Sequence, residues 1–169
     1  MKTKRQRIVD AVVARMKTIR TANGFETDAG RRVEVWQPRF DERELASEPS
    51  KVILVVCDLA APVSKESKHS KGSTCRLPFQ VRILRSKGVR DEALRAVIGD
   101  VVSALGRDVT QPTLDPILWP EAANVGKYLA VDTEPAEEGF VIPEEAMEIA
   151  AGAVAFTVVY ATALFDPYQ

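Results

Sequence analysis

The sequence predicts an α+β fold, a two-layer sandwich whose mainly antiparallel sheet of four to five strands carries two helices on one face. Three observations lead there. Two segments repeat apolar residues at helical spacing, one near the start and one near residue 100. Several other runs alternate at strand period or are continuously apolar, and short connections between them favour antiparallel pairing. The 169 residues suit one domain and bury enough surface to fold without a metal or a disulfide. No internal repeat or linker divides the chain, so residues 1–169 are read as a single domain.

The first element is a helix over residues 4–21. Thr3 and Gln6 have the spacing of a capping box, in which the Thr3 oxygen takes an orphan N–H and Gln6 reaches back. Ile8, Val9, Val12, Val13, Met16 and Ile19 form its apolar stripe, with Arg5, Arg15 and Lys17 on the other side. Asn23-Gly24 supplies a left-handed stop. A short strand over 32–37 ends at Pro38, and the charged stretch 41–50 is a loop. Residues 51–58, KVILVVCD, read as an interior strand. Residues 77–87, LPFQVRILRSK, read as another, with Phe79, Val81 and Ile83 on one face and Gln80 and Arg82 on the other. Between them lies a polar, flexible hairpin loop, 60–76, which contains Lys65, Lys68, His69 and Lys71.

Asp91 and Glu92 open a second helix, where negative charge suits the helix dipole. Its stripe is Leu94, Val97, Ile98, Val101, Val102 and Leu105, and Gly106 stops it. Gly99 inside costs about 1 kcal/mol relative to alanine, which points to a close backbone approach. Residues 106–126 carry Pro112, Pro116 and Pro120 and form no single regular element. Residues 127–133 suit a short strand, and 134–148 is an acidic stretch interrupted by Pro135, Gly139 and Pro143. Residues 149–165 hold no charge, and Val154, Phe156, Val158 and Tyr160 sit two apart. That is a long buried strand; the run is too short and too rich in Ala, Thr and Gly for a membrane span. Its other face, with Ala155, Thr157, Ala161 and Ala163, is left to water or a partner.

The formal charge is −1, which excludes a globally basic nucleic-acid binder, but the average hides a split. Residues 1–90 hold 20 Lys and Arg against 10 Asp and Glu, a net +10. Residues 91–169 hold 3 against 14, a net −11. The halves either neutralise each other within the fold or make each subunit complementary to a rotated copy of itself. Head-to-tail contacts of the second kind close into rings, with charge setting register and encounter rate. The residues expected at such an interface are Arg5, Arg7, Lys65, Lys68, Lys71 and Arg76 against Glu137, Glu138, Glu144 and Glu145.

The motifs of common chemistries are missing. The sequence has no G-x-x-x-x-G-K-[ST], G-x-G-x-x-G or G-x-S-x-G pattern. One histidine and two cysteines, without close pairing, cannot make a zinc site unless carboxylates join them. His69 lies in the polar loop, a poor place to hold a catalytic base. Glu137-Glu138 and Glu144-Glu145 read as solvated charge before they read as metal ligands or paired acids. No catalytic residue and no cofactor is therefore assigned. An enzyme built on Glu144, Glu145 or His69 is the weakest reading. Cys57 and Cys75 either pair across the hairpin or serve as small apolar side chains. The basic N-terminus is interrupted by Asp10 and Arg15, unlike a secretory signal, so a cytosolic chain with reduced thiols is expected. The alternative function is a nucleic-acid-binding accessory protein that uses Lys2, Lys4, Arg5, Arg7, Arg31, Arg32 and the loop lysines. No aromatic residues are interleaved with them to stack on bases, and the acidic half would repel a polyanion.

Several segments together resemble one family: RQRIVDAVVARM, the strand ending in Trp36, LPFQVRILRSKG running into DEALRAVIGDVVSALG, and the ending FTVVYATALFDPY. Their order, and the loose ending Tyr160-x-Thr162 with Asp166-Pro167-Tyr168, is similar to phage tail terminator proteins, including the minor tail protein U of lambda-like phages and related tail-completion proteins. The likeness spans nearly the whole chain. It implies the same α+β fold and a hexameric ring that caps the growing tail tube and offers the head-joining surface. It implies partners too: sister subunits, the tail tube protein and head–tail connector proteins, with no membrane and with nucleic acid only as DNA passing through the ring. It further implies a place in the virion tail, assembly in the bacterial cytoplasm, and neither catalysis nor cofactor. The basic loop 60–76 resembles the long hairpin loop that such subunits turn toward the lumen or their partners.

Overall fold

A computed structural model describes residues 2–37, 52–59, 72–85, 91–106, 132–141 and 150–163. They form an α+β arrangement of two helices, α1 (Lys4–Met16) and α2 (Asp91–Gly106), and five strands. The strands are β1 (Val33–Val35), β2 (Val52–Asp58), β3 (Gly72–Arg85), β4 (Asp132–Val141) and β5 (Ala150–Ala163), in the sheet order β1-β2-β3-β5-β4. The expected loop at 41–50 and the proline-rich stretch 107–126 lie outside the described residues.

α1 starts where its cap predicts. The Thr3 hydroxyl accepts the Gln6 N–H at 3.2 Å. Only half of the capping box forms, because the Gln6 side chain turns forward and donates to Asp10 at 3.2 Å. The helix ends at Met16, not Thr21. Past it the Thr18 N–H and hydroxyl both bond the Arg15 carbonyl, and the Ile19 N–H bonds Met16. Gly30 then donates its N–H to the Ile19 carbonyl at 3.0 Å. A Cβ on Gly30 would stand 2.4 Å from the Met16 carbonyl oxygen, so only glycine fits there. This tertiary approach fixes the end of the helix. Gly24, at φ 81°, caps a following 3₁₀ turn at Thr21–Asn23 instead of α1 itself.

The sheet is mixed. β2/β3, β3/β5 and β4/β5 pair antiparallel, as expected, but β1 runs parallel to β2, with Val33 opposite Leu54 and Val35 opposite Val56. The connection over residues 36–51 has the length that a parallel return requires. β3 begins at Gly72, five residues before the expected start, so the end of the expected loop 60–76 is strand. Its long partner explains the gain, since β5 offers a ladder from Ala163 opposite Gly72 to Ala150 opposite Arg85. β4 overlaps the strand expected at 127–133 at Asp132 and Thr133, residues 127–131 lying outside the described residues, and takes in part of the acidic stretch 134–148. Pro135 is tolerated because β4 is an edge strand and its register shifts between Pro135 and Glu137.

Strand alternation puts Leu54, Val56, Leu77, Phe79, Val81, Ile83, Val154, Phe156 and Val158 on one face. Ile8, Val9, Val12 and Met16 of α1 and Leu94, Val97, Ile98 and Val101 of α2 join them in a single core. Each such side chain contributes about 1.5–3 kcal/mol when fully buried. Phe79 and Phe156 are register partners and stack with ring centroids 5.3 Å apart. Gly152 lets α2 lie close on β5, since a Cβ there would meet the Ile98 Cδ1 at 3.2 Å.

The opposite face departs from expectation. Ile53, Val55, Cys57 and Leu84 form a second buried cluster there, each no more than 7% exposed. Around these four residues that face is therefore not open to water. Ala155 and Thr157 beside it are half-buried, and the side chains of Ala161 and Ala163 lie outside the described residues. No helix among the described residues is long and apolar enough to cross a membrane.

Candidate functional site

The residues expected to carry function are charges, and they fall into three groups. Some are spent inside the chain. Arg5, on the first turn of α1, donates Nε to Asp58 at 2.9 Å and brings Nη2 within 2.8 Å of the same carboxylate oxygen. Asp58 is the last residue of β2, so this pair ties the start of α1 to the end of that strand. Arg7 is half-buried and also interacts within the chain. Arg76 pairs with Glu134, bridging β3 and β4 across the back of β5. The register allows it, because Arg76 lies opposite Val159 and Glu134 opposite Thr157.

Glu137 and Glu138 lie on edge strand β4, opposite Ala155 and Val154. The third group, Lys65, Lys68, Lys71, Glu144 and Glu145, lies outside the described residues together with His69.

Strand alternation also divides the basic residues. Cys75 points toward α1 and is buried, so its neighbour Arg76 points to the other face of the sheet. Lys4 and Arg5 on α1 and Arg76 on β3 thus stand on opposite sides, and these residues make no single basic patch. The ion pairs Lys2–Asp10, Arg5–Asp58, Arg31–Asp28 and Arg32–Glu34 lie within the basic half, while Arg76–Glu134 joins the two halves.

Around Cys75 the electrostatics are local. Burial lowers the Lys4 ammonium from its ordinary value, Arg7 adds to the shift, and Cys75 opposes it. Burial pushes the Tyr160 phenol up; Cys75, its register partner on β3, adds to this by charge and by hydrogen bond, and Arg5 opposes it. Cys57 belongs to the second cluster on the far side of the sheet. Both cysteines are buried and neither forms a disulfide, so the alternative of a disulfide across the hairpin is corrected. Their positions along β3 differ by five residues, roughly 16 Å, and they face opposite ways, against the ~7 Å Cα limit of a disulfide.

Asp100 is a buried acid that the apolar pattern of α2 hides. It is only 5% exposed, and its carboxylate accepts the Glu26 N–H at 3.0 Å, the Thr27 N–H at 2.8 Å and the Thr27 hydroxyl at 2.6 Å. It anchors the turn after Gly24 to the helix. The available signal was its spacing, three residues after Val97 and four before Ala104, which sets an acid on the inward stripe. Beside it, Gly24, Glu26, Glu92, Arg95, Gly99 and Ser103 are among the residues around an open groove of about 630 Å³. Contrary to expectation, among the described residues nothing beyond the helix's own backbone comes within 4 Å of a Cβ built on Gly99.

No group of three or more His, Cys, Asp or Glu side chains among the described residues is arranged to hold a metal. Trp36 and Leu59, each 45% exposed, add two apolar side chains at the ends of the parallel strands β1 and β2. Comparison with known proteins finds no matching family model and no curated relative.

Proposed function

We propose that the chain is a structural subunit of a phage tail, a tail terminator or tail-completion protein that docks head-to-tail onto copies of itself and closes a ring, a hexamer in the resembled family. The ring caps the tail tube and offers the surface that meets the head–tail connector. The subunit performs no catalysis and takes no cofactor.

One geometric observation carries the reading most. The basic connection 59–71 leaves the sheet after Asp58 and returns at Gly72. The acidic connection 142–149 joins Val141 to Ala150, opposite Arg85 at the far end of the same ladder. β3 has 14 residues, so Gly72 and Ala150 are roughly 40 Å apart, while Asp58, opposite Phe79, lies roughly 20 Å from that far end. In the sequence, Lys65, Lys68 and Lys71 fall in the first connection and Glu144 and Glu145 in the second. A subunit whose basic and acidic connections join the sheet at separate points suits a heterologous contact better than a two-fold one. The element order and the placing of both helices on one face agree with the resemblance, which supports the same reading. The nucleic-acid alternative is weaker, because Arg5 and Arg76 are paired within the chain and stand on opposite faces of the sheet.

Light scattering after size-exclusion chromatography at graded salt tests assembly, with negative-stain electron microscopy to read the ring. Closed rings that loosen as salt rises are expected. Deleting the gene from its phage is the decisive arm. Over-long tails, or heads and tails left apart, are expected; normal virions would end the proposal.

A further inference from the structure

We draw no further inference here: the strongest candidate, the open groove beside α2 bounded by Glu26, Glu92 and Arg95 around the bare helix position Gly99, is an unpartnered helix face, and nothing in the structure shows what covers it.

Discussion

Replacing Asp100 by alanine removes the acceptor of three hydrogen bonds and leaves the Glu26 N–H, the Thr27 N–H and the Thr27 hydroxyl to find others. Glu26 is exposed, so its amide rehydrates at little cost. Thr27 is half-buried, and each of its two donors loses about 1–3 kcal/mol when left unsatisfied. Removing the carboxylate also relieves its own desolvation, which offsets part of the loss. The net expectation is about 2–4 kcal/mol. With a urea slope of about 2 kcal/mol/M for a chain of this size, the unfolding midpoint falls by roughly 1–2 M. Asp100→Asn keeps the volume but turns an amide NH₂ toward donors, and should lose about 1–3 kcal/mol. Circular dichroism in urea reads the midpoint, with Glu92→Ala as an exposed control expected within about 0.5 kcal/mol of the parent. Amide exchange adds a local reading, since the Glu26 and Thr27 amides should lose protection before those of β3. A midpoint for Asp100→Ala within about 0.3 M of the parent, with both amides still protected, would refute the anchoring argument.

Two glycines should respond in opposite directions. Gly30→Ala forces a Cβ against the Met16 and Ile19 carbonyl oxygens and should destabilise by about 1–3 kcal/mol, whereas Gly99→Ala meets open space on an exposed helix and should stabilise by up to about 1 kcal/mol. Thermal unfolding of both variants checks the pair, and equal shifts would contradict it. Mild oxidation of the native protein should yield no intramolecular disulfide between Cys57 and Cys75; a 2 Da loss by intact mass with both cysteines in one linked peptide would show the reverse. The Asp28 carboxyl is held below the usual range by the Thr21 N–H, then by the Thr21 hydroxyl, with Arg31 and Arg20 adding to these against slight desolvation. A depressed folded value means that the unfolded chain binds more protons, so this contribution is present above about pH 4 and is lost as pH falls through the folded value. Carboxyl NMR should find its midpoint below about 3.9, and Thr21→Ala should move it upward. For assembly, reversing Lys65, Lys68 and Lys71 to glutamate should abolish rings at low salt. Arg5→Ala should leave rings intact and cost only about 0–1 kcal/mol of stability, because its partner Asp58 is in the same chain.

The sequence by itself determined the periodic elements. Heptad-like spacing from Ile8 to Met16 and from Leu94 to Leu105 specifies two helices, and alternation through Phe79, Val81 and Ile83 and through Val154, Phe156 and Val158 specifies two long strands. These patterns are local records of burial, so they are legible without a partner. What they omit is pairing. The end of α1 at Met16 depends on Gly30 arriving at its carbonyls, a contact between residues far apart in sequence. The extra five residues of β3 exist because β5 is long enough to match them. β4 is a strand despite Pro135 and Gly139 because it lies at an edge, and edge position is a property of the sheet, not of the segment. The candidate charges show the same division: composition revealed the +10 and −11 halves, but only the fold decided that Arg5 belongs to Asp58 and Arg76 to Glu134. Asp100 was hidden for a related reason. A buried carboxylate is stable only with donors in place, and those donors are backbone N–H groups that carry no residue-type signature.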